Sequence, residues 1–598
     1  MSALITSKLV TPCGSITNPT AGGYIDAAGN VVGSPGFLPN YVIDYAGNLG
    51  TIPSVTTDCT LIATIIGSAF APGDWEMQVG TVETIAVNNG TIAAGFNATA
   101  SVPVTTFMPV NTTGYFTGVL TGTGGWTIRS GPDTVGGVPQ IGSGLLIASG
   151  ANTHTGNITM QTGTKLQLGL DCTNTQTWAK GSVTIAEGAV LTQFASMPDP
   201  TAVAVNLNND GTYNITGCGA CGVGGKYTIT GVTNNGIINL DKVYWRNTST
   251  WGGTGFVNVK NGATLGLSTQ APSAGTTVNL NGCGWKAAGC VEQGALNMTA
   301  PSNTNYGFKL KIQSASCIKS NTNSGGSFTG VLSGSAPLLV TTLNATKPNG
   351  STSFTNTANT YFGTMTVDGT TLAQDNGNSL QFAKIVLTGG GRITSSLTQT
   401  IGSLASSDPT SSWLIGGSTN VFIKNNGITQ FDGSLSMTGS IANVWLEGGA
   451  TNQLTLTKTG QTATVYARNG SKLIMQGGTL TGTQGQIRVS NGSTVSAGTL
   501  STGGAVLIYI DATSALDVYA QGGSTAKINT GPGTSLLSAG WKVNLKSPLS
   551  AGTHGIWNNT GAAITQLPVI GENLSGRTVT GFVWNNAATP KTLSVILA

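Results

Sequence analysis

A short cassette recurs along this chain and sets tight limits on what it can fold into. It begins with a glycine, continues through two small or polar residues, and reaches a leucine or valine that opens an apolar alternation. It appears as Gly163-Thr164-Lys165-Leu166, Gly188-Ala189-Val190-Leu191, Gly262-Ala263-Thr264-Leu265 and Gly369-Thr370-Thr371-Leu372. Further on come Gly470-Ser471-Lys472-Leu473, Gly492-Ser493-Thr494-Val495 and Gly533-Thr534-Ser535-Leu536. The residue before the glycine is usually Asn, Asp or Glu, so each cassette reads as a turn leading into a strand. Glycine takes the positive φ of the turn, and period-two alternation follows, as in Leu265/Leu267 and Leu473/Met475.

The intervals carry the topology. Gly470 to Gly492 is 22 residues and Gly492 to Gly533 is 41, close to two such units. Gly448 and Gly427 extend the ladder backwards at 22 and 21. A unit of about 20–25 residues is too short for a propeller blade and lacks the leucine-rich consensus. It fits one coil of a parallel β-helix, whose equivalent strands stack at about 4.8 Å per coil. A single coil cannot bury its own apolar face, so stacking supplies the core.

Composition agrees. Hydrophobic residues make up 39% of the 598 residues and charged residues only 8%, the reverse of a disordered chain. Gly, at 88 residues, has no collagen-like period, and Thr, Val and Ile runs broken by Asn-Gly and Gly-Gly read as strands and tight turns. The expected class is all-β. A net charge of +4 on such a length gives no reason to expect nucleic acid as a partner, and the basic stretch Lys242–Arg246 reads as a strand with outward charges. No run of about 18 apolar residues occurs, so no membrane-spanning helix is expected. Residues Met1 to Lys8 show no basic segment followed by an apolar core, so a secretory signal is not expected either.

A longer duplication reinforces the solenoid. Phe116-Thr117-Gly118-Val119-Leu120-Thr121-Gly122 recurs 212 residues later as Phe328-Thr329-Gly330-Val331-Leu332-Ser333-Gly334. Downstream, Ala151-Asn152-Thr153-His154-Thr155-Gly156 recurs 207 residues later as Ala358-Asn359-Thr360-Tyr361-Phe362-Gly363. Each copy runs on to a cassette, at Gly163 and at Gly369. With Ser149 and Gly150 before it, the first copy resembles the β-strand repeat of autotransporter passenger domains, Ser-Gly-x-Asn-Thr-Tyr-x-Gly followed by Gly-Thr-Leu. His154 stands where that repeat has Tyr, and Tyr361 keeps it. The resemblance covers about a tenth of the chain and implies a right-handed parallel β-helix. The signal peptide and C-terminal translocator barrel of that family are not seen here.

The ends read differently. Residues 1–110 carry eight prolines and no cassette, which indicates a separate, loop-rich β region for attachment or capping. The shaft is expected over 111–540. Residues 541–598, with Trp541, Trp557 and Trp584, read as a C-terminal β cap or oligomerisation segment, since an open solenoid end exposes unpaired edges.

Eight cysteines are present, six of them between Cys172 and Cys317. Cys218 with Cys221, and Cys283 with Cys290, are spaced to bridge a loop or neighbouring coils, with inert buried thiols as the alternative. The spacing is a poor match to a zinc site, and no metal or other cofactor is expected. The two histidines, His154 and His554, lie 400 residues apart, which argues against a His-based triad. No catalytic residue is assigned. A polysaccharide hydrolase would need two carboxylates about 5–9 Å apart. Asp171 with Glu187, Asp511 with Asp517, and Asp74 with Glu76 are the pairs to weigh, whereas Asp210, Asp368 and Asp432 precede glycines and read as turn formers. Tyr244, Trp245, Trp251 and Trp285 form the aromatic group that could stack on sugar rings, although packing is the commoner role of Trp on a strand.

The expected role is that of a virion-surface structural protein (a phage tail spike, tail fibre or decoration protein) that presents a β-helix for host attachment. Its expected partners are further copies of itself, as a homotrimer, other virion proteins, and a host surface glycan or receptor. It would be made in a host cytoplasm and act at the virion surface. A secreted autotransporter-like adhesin passenger and a glycan depolymerase on the same scaffold are the alternatives.

Overall fold

The computed structural model describes side chains within 123–128, 145–149, 154–171, 181–194, 206–218, 231–245, 251–284, 292–299, 304–320, 326–343, 350–374, 377–416, 419–424, 429–436, 443–447, 454–455, 465–474, 487–496, 508–518, 528–530 and 536–598. The N-terminal region expected over 1–110 lies outside these residues. Those described form a parallel β-solenoid, about 12 turns in all, with no helix among them. Two compact units divide the chain: Met1–Thr299 with Gly307–Lys309, and Ala300–Tyr306 with Leu310–Ala598.

In the first unit the core is a column of inward side chains, one per rung. Leu146, Leu166, Leu191, Tyr213, Ile238, Val257 and Val278 pair in unbroken parallel register. All seven are buried. The steps between them run from 19 to 25 residues, so rung length varies in the loops while strand register holds. The outward positions of the same strands form a second ladder. Asn239 donates to Asn214, Asn258 to Asn239 and Asn279 to Asn258, each at 2.7 Å between Nδ2 and Oδ1. An asparagine amide has a donor and an acceptor, so one residue per rung satisfies the rungs on both sides.

The second unit repeats the logic. Leu454, Leu473, Val495, Leu516 and Val543 make one buried column. A seven-stranded parallel sheet from Thr304–Tyr306 to Ser434–Met437 supplies another wall. On it Tyr306, Phe328 and Phe354 stack inward with centroids 5.3 and 5.2 Å apart. That column then reaches Gln374 and Ser395.

The cassette has a physical explanation. Gly163, Gly188, Gly262, Gly369, Gly470 and Gly492 adopt φ between 60° and 83°, the left-handed region that a side chain disfavours. Gly533 lies outside the described residues. The next residue is small and fully buried at the corner, as with Thr164, Ala189, Ala263, Thr370, Ser471 and Ser493. The third residue after the glycine enters the core.

The last segment ends the ladder. Gly552–Asn559 pairs in parallel with Ile528–Thr530 on one side and antiparallel with Lys591–Leu597 on the other. Val579–Asn585 then adds a further antiparallel strand. The reversal means that no next parallel rung follows in this sheet. Trp541 and Trp557 are fully buried, with centroids 6.0 Å apart, and Trp584 meets Trp557 at the same distance.

Candidate glycan-contact surface

The structure places the sequence-selected aromatic group inside the fold. Trp245 is fully buried, and Trp251 and Tyr244 nearly so. The two indoles pack against each other with centroids 5.2 Å apart. Gly266, in the rung after Tyr244, explains why this strand shows no open aromatic face: a Cβ there would meet the Tyr244 ring at 2.9–3.1 Å, so the phenol lies over the missing side chain. Fully buried rings cannot stack on a sugar arriving from solvent, so these three residues serve packing. Trp285 lies outside the described residues.

A different aromatic column faces outward in the second unit. Phe422, Trp445 and Tyr466 occupy successive rungs, with centroids 6.0 and 3.6 Å apart and rings within 21° of parallel. The Arg468 guanidinium sits 4.4 Å from the Trp445 centroid, forms an ion pair with Glu447, and Arg488 covers Tyr466 at 5.6 Å. Ring faces are thus occupied by neighbouring rings and cations. The column ties rungs together, and only its edges meet water.

The most exposed aromatic side chains among the described residues are Phe362, 65% exposed, and Phe382, 55% exposed. Phe362 is the variable position of the Asn-Thr-Tyr-x-Gly motif, Thr360 is exposed as well, and Asn359, Tyr361 and Gly363 are the structural positions. Asn359 accepts from the Leu332 N–H at 2.6 Å and donates to the Ser379 carbonyl at 2.8 Å, joining the rungs before and after its own. The Tyr361 hydroxyl donates to the Ala336 carbonyl at 2.9 Å and also lies 2.9 Å from that of Thr364. A Cβ on Gly363 would meet the Ala336 oxygen at 2.6 Å. In the first copy of the motif His154 Nε2 faces the Gly124 carbonyl, and a Cβ on Gly156 would collide with that same oxygen. A carbonyl only accepts, so Nε2 carries the proton. Burial holds the His154 pKa below its ordinary value against the opposing effect of this bond.

The carboxylates are largely committed to structure. Asp511 accepts from the Asn491 N–H at 2.8 Å and the Thr513 N–H at 3.0 Å. Burial pushes its pKa up, but these bonds and those from the Ser514 and Thr513 hydroxyls outweigh it, and the net shift is downward. Asp408 does the same for another turn, accepting from the Gly390 N–H at 2.6 Å and from Thr410 and Ser411, and its pKa falls to about 2. Asp517 is buried, 2.8 Å from the Lys472 ammonium, and accepts from Ser496 and Asn544. Asp171 and Glu187 are exposed, and Asp74 and Glu76 lie outside the residues whose side chains are described. Asp210, Asp368 and Asp432 each accept from a neighbouring side chain, as turn formers do.

Cys218 and Cys283 are disulfide-bonded, and so is Cys317, which spacing alone did not single out. Cys221 and Cys290 lie outside the described residues. Among the described residues no helix is long and apolar enough to cross a membrane. The molecule belongs to the class of parallel β-solenoids. Comparison with protein-family models gives no match, and comparison with curated proteins gives none.

Proposed function

We propose that this chain is a surface-displayed structural protein, a virion appendage of the tail-spike, tail-fibre or decoration type, that uses its solenoid wall to attach to a host glycan. The observation that carries the reading is that every described cysteine is disulfide-bonded. Disulfides persist in oxidising surroundings, outside a reducing cytoplasm. Side-chain ladders that tie each rung to the next, with few charges between them, suit a stiff part that must hold its shape in the open.

Assembly into a homo-oligomer, with a trimer as the expected order, is part of the proposal. Among the described residues, six of the thirteen exposed large apolar side chains fall between Leu567 and Ile596. Val583 and Ile596 lie on one face of the terminal antiparallel strands, opposite the face that buries Leu593, Val595 and Leu597. Apolar groups gathered at one end of a fold are what a subunit contact requires.

The adhesin reading has its own support, because Asn359, Tyr361 and Gly363 act as inter-rung ties in a motif resembling the autotransporter repeat. The depolymerase alternative finds no support in Asp511 and Asp517, which are occupied in holding the fold. Mass spectrometry and antibody labelling of purified virions test the proposal. The chain should be found at the particle surface in a copy number divisible by three. Its absence from particles, with detection on a bacterial envelope instead, would overturn it in favour of the adhesin.

A further inference from the structure

We propose that the last rung of the large parallel sheet, Val569–Asn573, is completed by a second copy of this chain, so that part of the hydrophobic core is built between subunits. The inference rests on the assembly reading above and names the surface that carries it.

The buried column Leu454, Leu473, Val495, Leu516 and Val543 does not stop at Val543. Val543 pairs in parallel register with Ile570, which takes the sixth place in the column. The first five side chains are at most 1% exposed, whereas Ile570 is 38% exposed. One inward position thus passes from closed to open in a single rung. All five residues of Val569–Asn573 are exposed, and Leu567, Val569 and Leu574 beside Ile570 are among the exposed large apolar side chains. A solenoid rung buries its apolar face against the rungs before and after it. Among the described residues this one pairs only with Lys542–Leu545, the rung before.

Charge selects a second copy as the occupant. Two identical surfaces repel when each carries a free charge. Between Leu567 and Leu574 the single charged residue is Glu572, and it is ion-paired with Lys546 of its own chain. Like can therefore meet like there. A second copy also supplies what the open rung lacks, an apolar end of the same make. An unpaired strand edge left in water would accept strands of any chain, and copies closed into a ring remove it.

Sedimentation and hydrogen–deuterium exchange of the full-length protein test the inference together. Wild type should sediment as an oligomer whose melting temperature rises with protein concentration. Its 569–574 amides should be protected like those of Lys542–Leu545, whereas an uncovered edge would exchange roughly tenfold or more faster. Ile570→Asp and Leu574→Asp should each sediment as single chains that keep the β-sheet circular dichroism. Leu397→Asp, at an exposed leucine in another part of the chain, should stay assembled. Should an aspartate variant fail to fold, exchange in wild type decides alone. Fast exchange at 569–574 in an oligomeric wild type, or assembly of both aspartate variants with the melting temperature of wild type, would overturn the shared rung and leave assembly standing. Wild type sedimenting as a single chain would overturn both.

Discussion

The Tyr361 hydroxyl donates to the carbonyl oxygen of Ala336, one rung earlier, at 2.9 Å. The pair has a counterpart in His154 and Gly124. Tyr361 follows His154 by 207 residues and Ala336 follows Gly124 by 212, the two offsets of the sequence duplication. The duplicated segments therefore conserve an inter-rung bond with two different side chains. Tyr361→Phe removes the donor and leaves buried carbonyls short of a partner, at a cost of about 1–3 kcal/mol. Chemical denaturation should show a lower midpoint with an unchanged slope.

His154 makes the first copy sensitive to pH in a way the second is not. Burial holds its folded pKa below the ordinary 6.5 of a free imidazole, and Nδ1 is buried without a partner, so the neutral ring is the one the fold accepts. Below 6.5 the unfolded chain takes up a proton that the folded chain resists. Stability therefore declines as pH falls from 6.5 through the lowered folded value, and levels off beneath it. His154→Gln cannot titrate in this range, and melting temperatures between pH 8 and pH 5 should fall less steeply for that variant than for wild type.

Asp408 acts in a lower window. Its pKa is depressed to about 2, first by the Gly390 N–H and then by the Thr410 hydroxyl. Ionised Asp408 contributes stability that is complete above its ordinary range near 3.8 and lost as pH falls through about 2. Asp408→Asn should reduce the loss of stability between pH 4 and pH 2, read by circular dichroism, while lowering stability at pH 7.

Gln374 presents the opposite case, a polar group the core does not use. Its side chain is fully buried and neither amide atom has a hydrogen-bond partner. Methionine has a similar shape and no such need, so Gln374→Met should raise stability by about 1–2 kcal/mol. A lower denaturation midpoint for this variant would show that the amide is doing something its protein neighbours do not reveal.

Much of this architecture was legible because backbone constraint shows in residue type. The cassette glycines mark positive φ, and their spacing gives the rung length without any knowledge of register. The asparagine ladder was not legible. Asn214, Asn239, Asn258 and Asn279 are separated by 25, 19 and 21 residues, and only the strand pairing shows that these unequal steps are single rungs. For the aromatic group around Trp245 the sequence left sugar stacking and packing both open, because density of rings in sequence carries no information about which rings a neighbouring glycine lets fold inward; Tyr244, Trp245 and Trp251 are buried in packing. Phe362 was written in the duplication, as the position where the two copies differ between threonine and phenylalanine, yet its outward direction became readable only once Tyr361 was seen to point at Ala336.

The central claim is that each repeat adds one rung in register directly upon the last. Nitroxide labels on outward positions of the first unit measure this. Gln167 pairs with Thr192, Thr192 with Asn214, and Asn214 with Asn239. Labels at 167 paired in turn with 192, 214 and 239 should give distances that grow by about 4.8 Å per rung. Distances that fail to rise in that order, or that scatter without relation to rung number, would contradict the account.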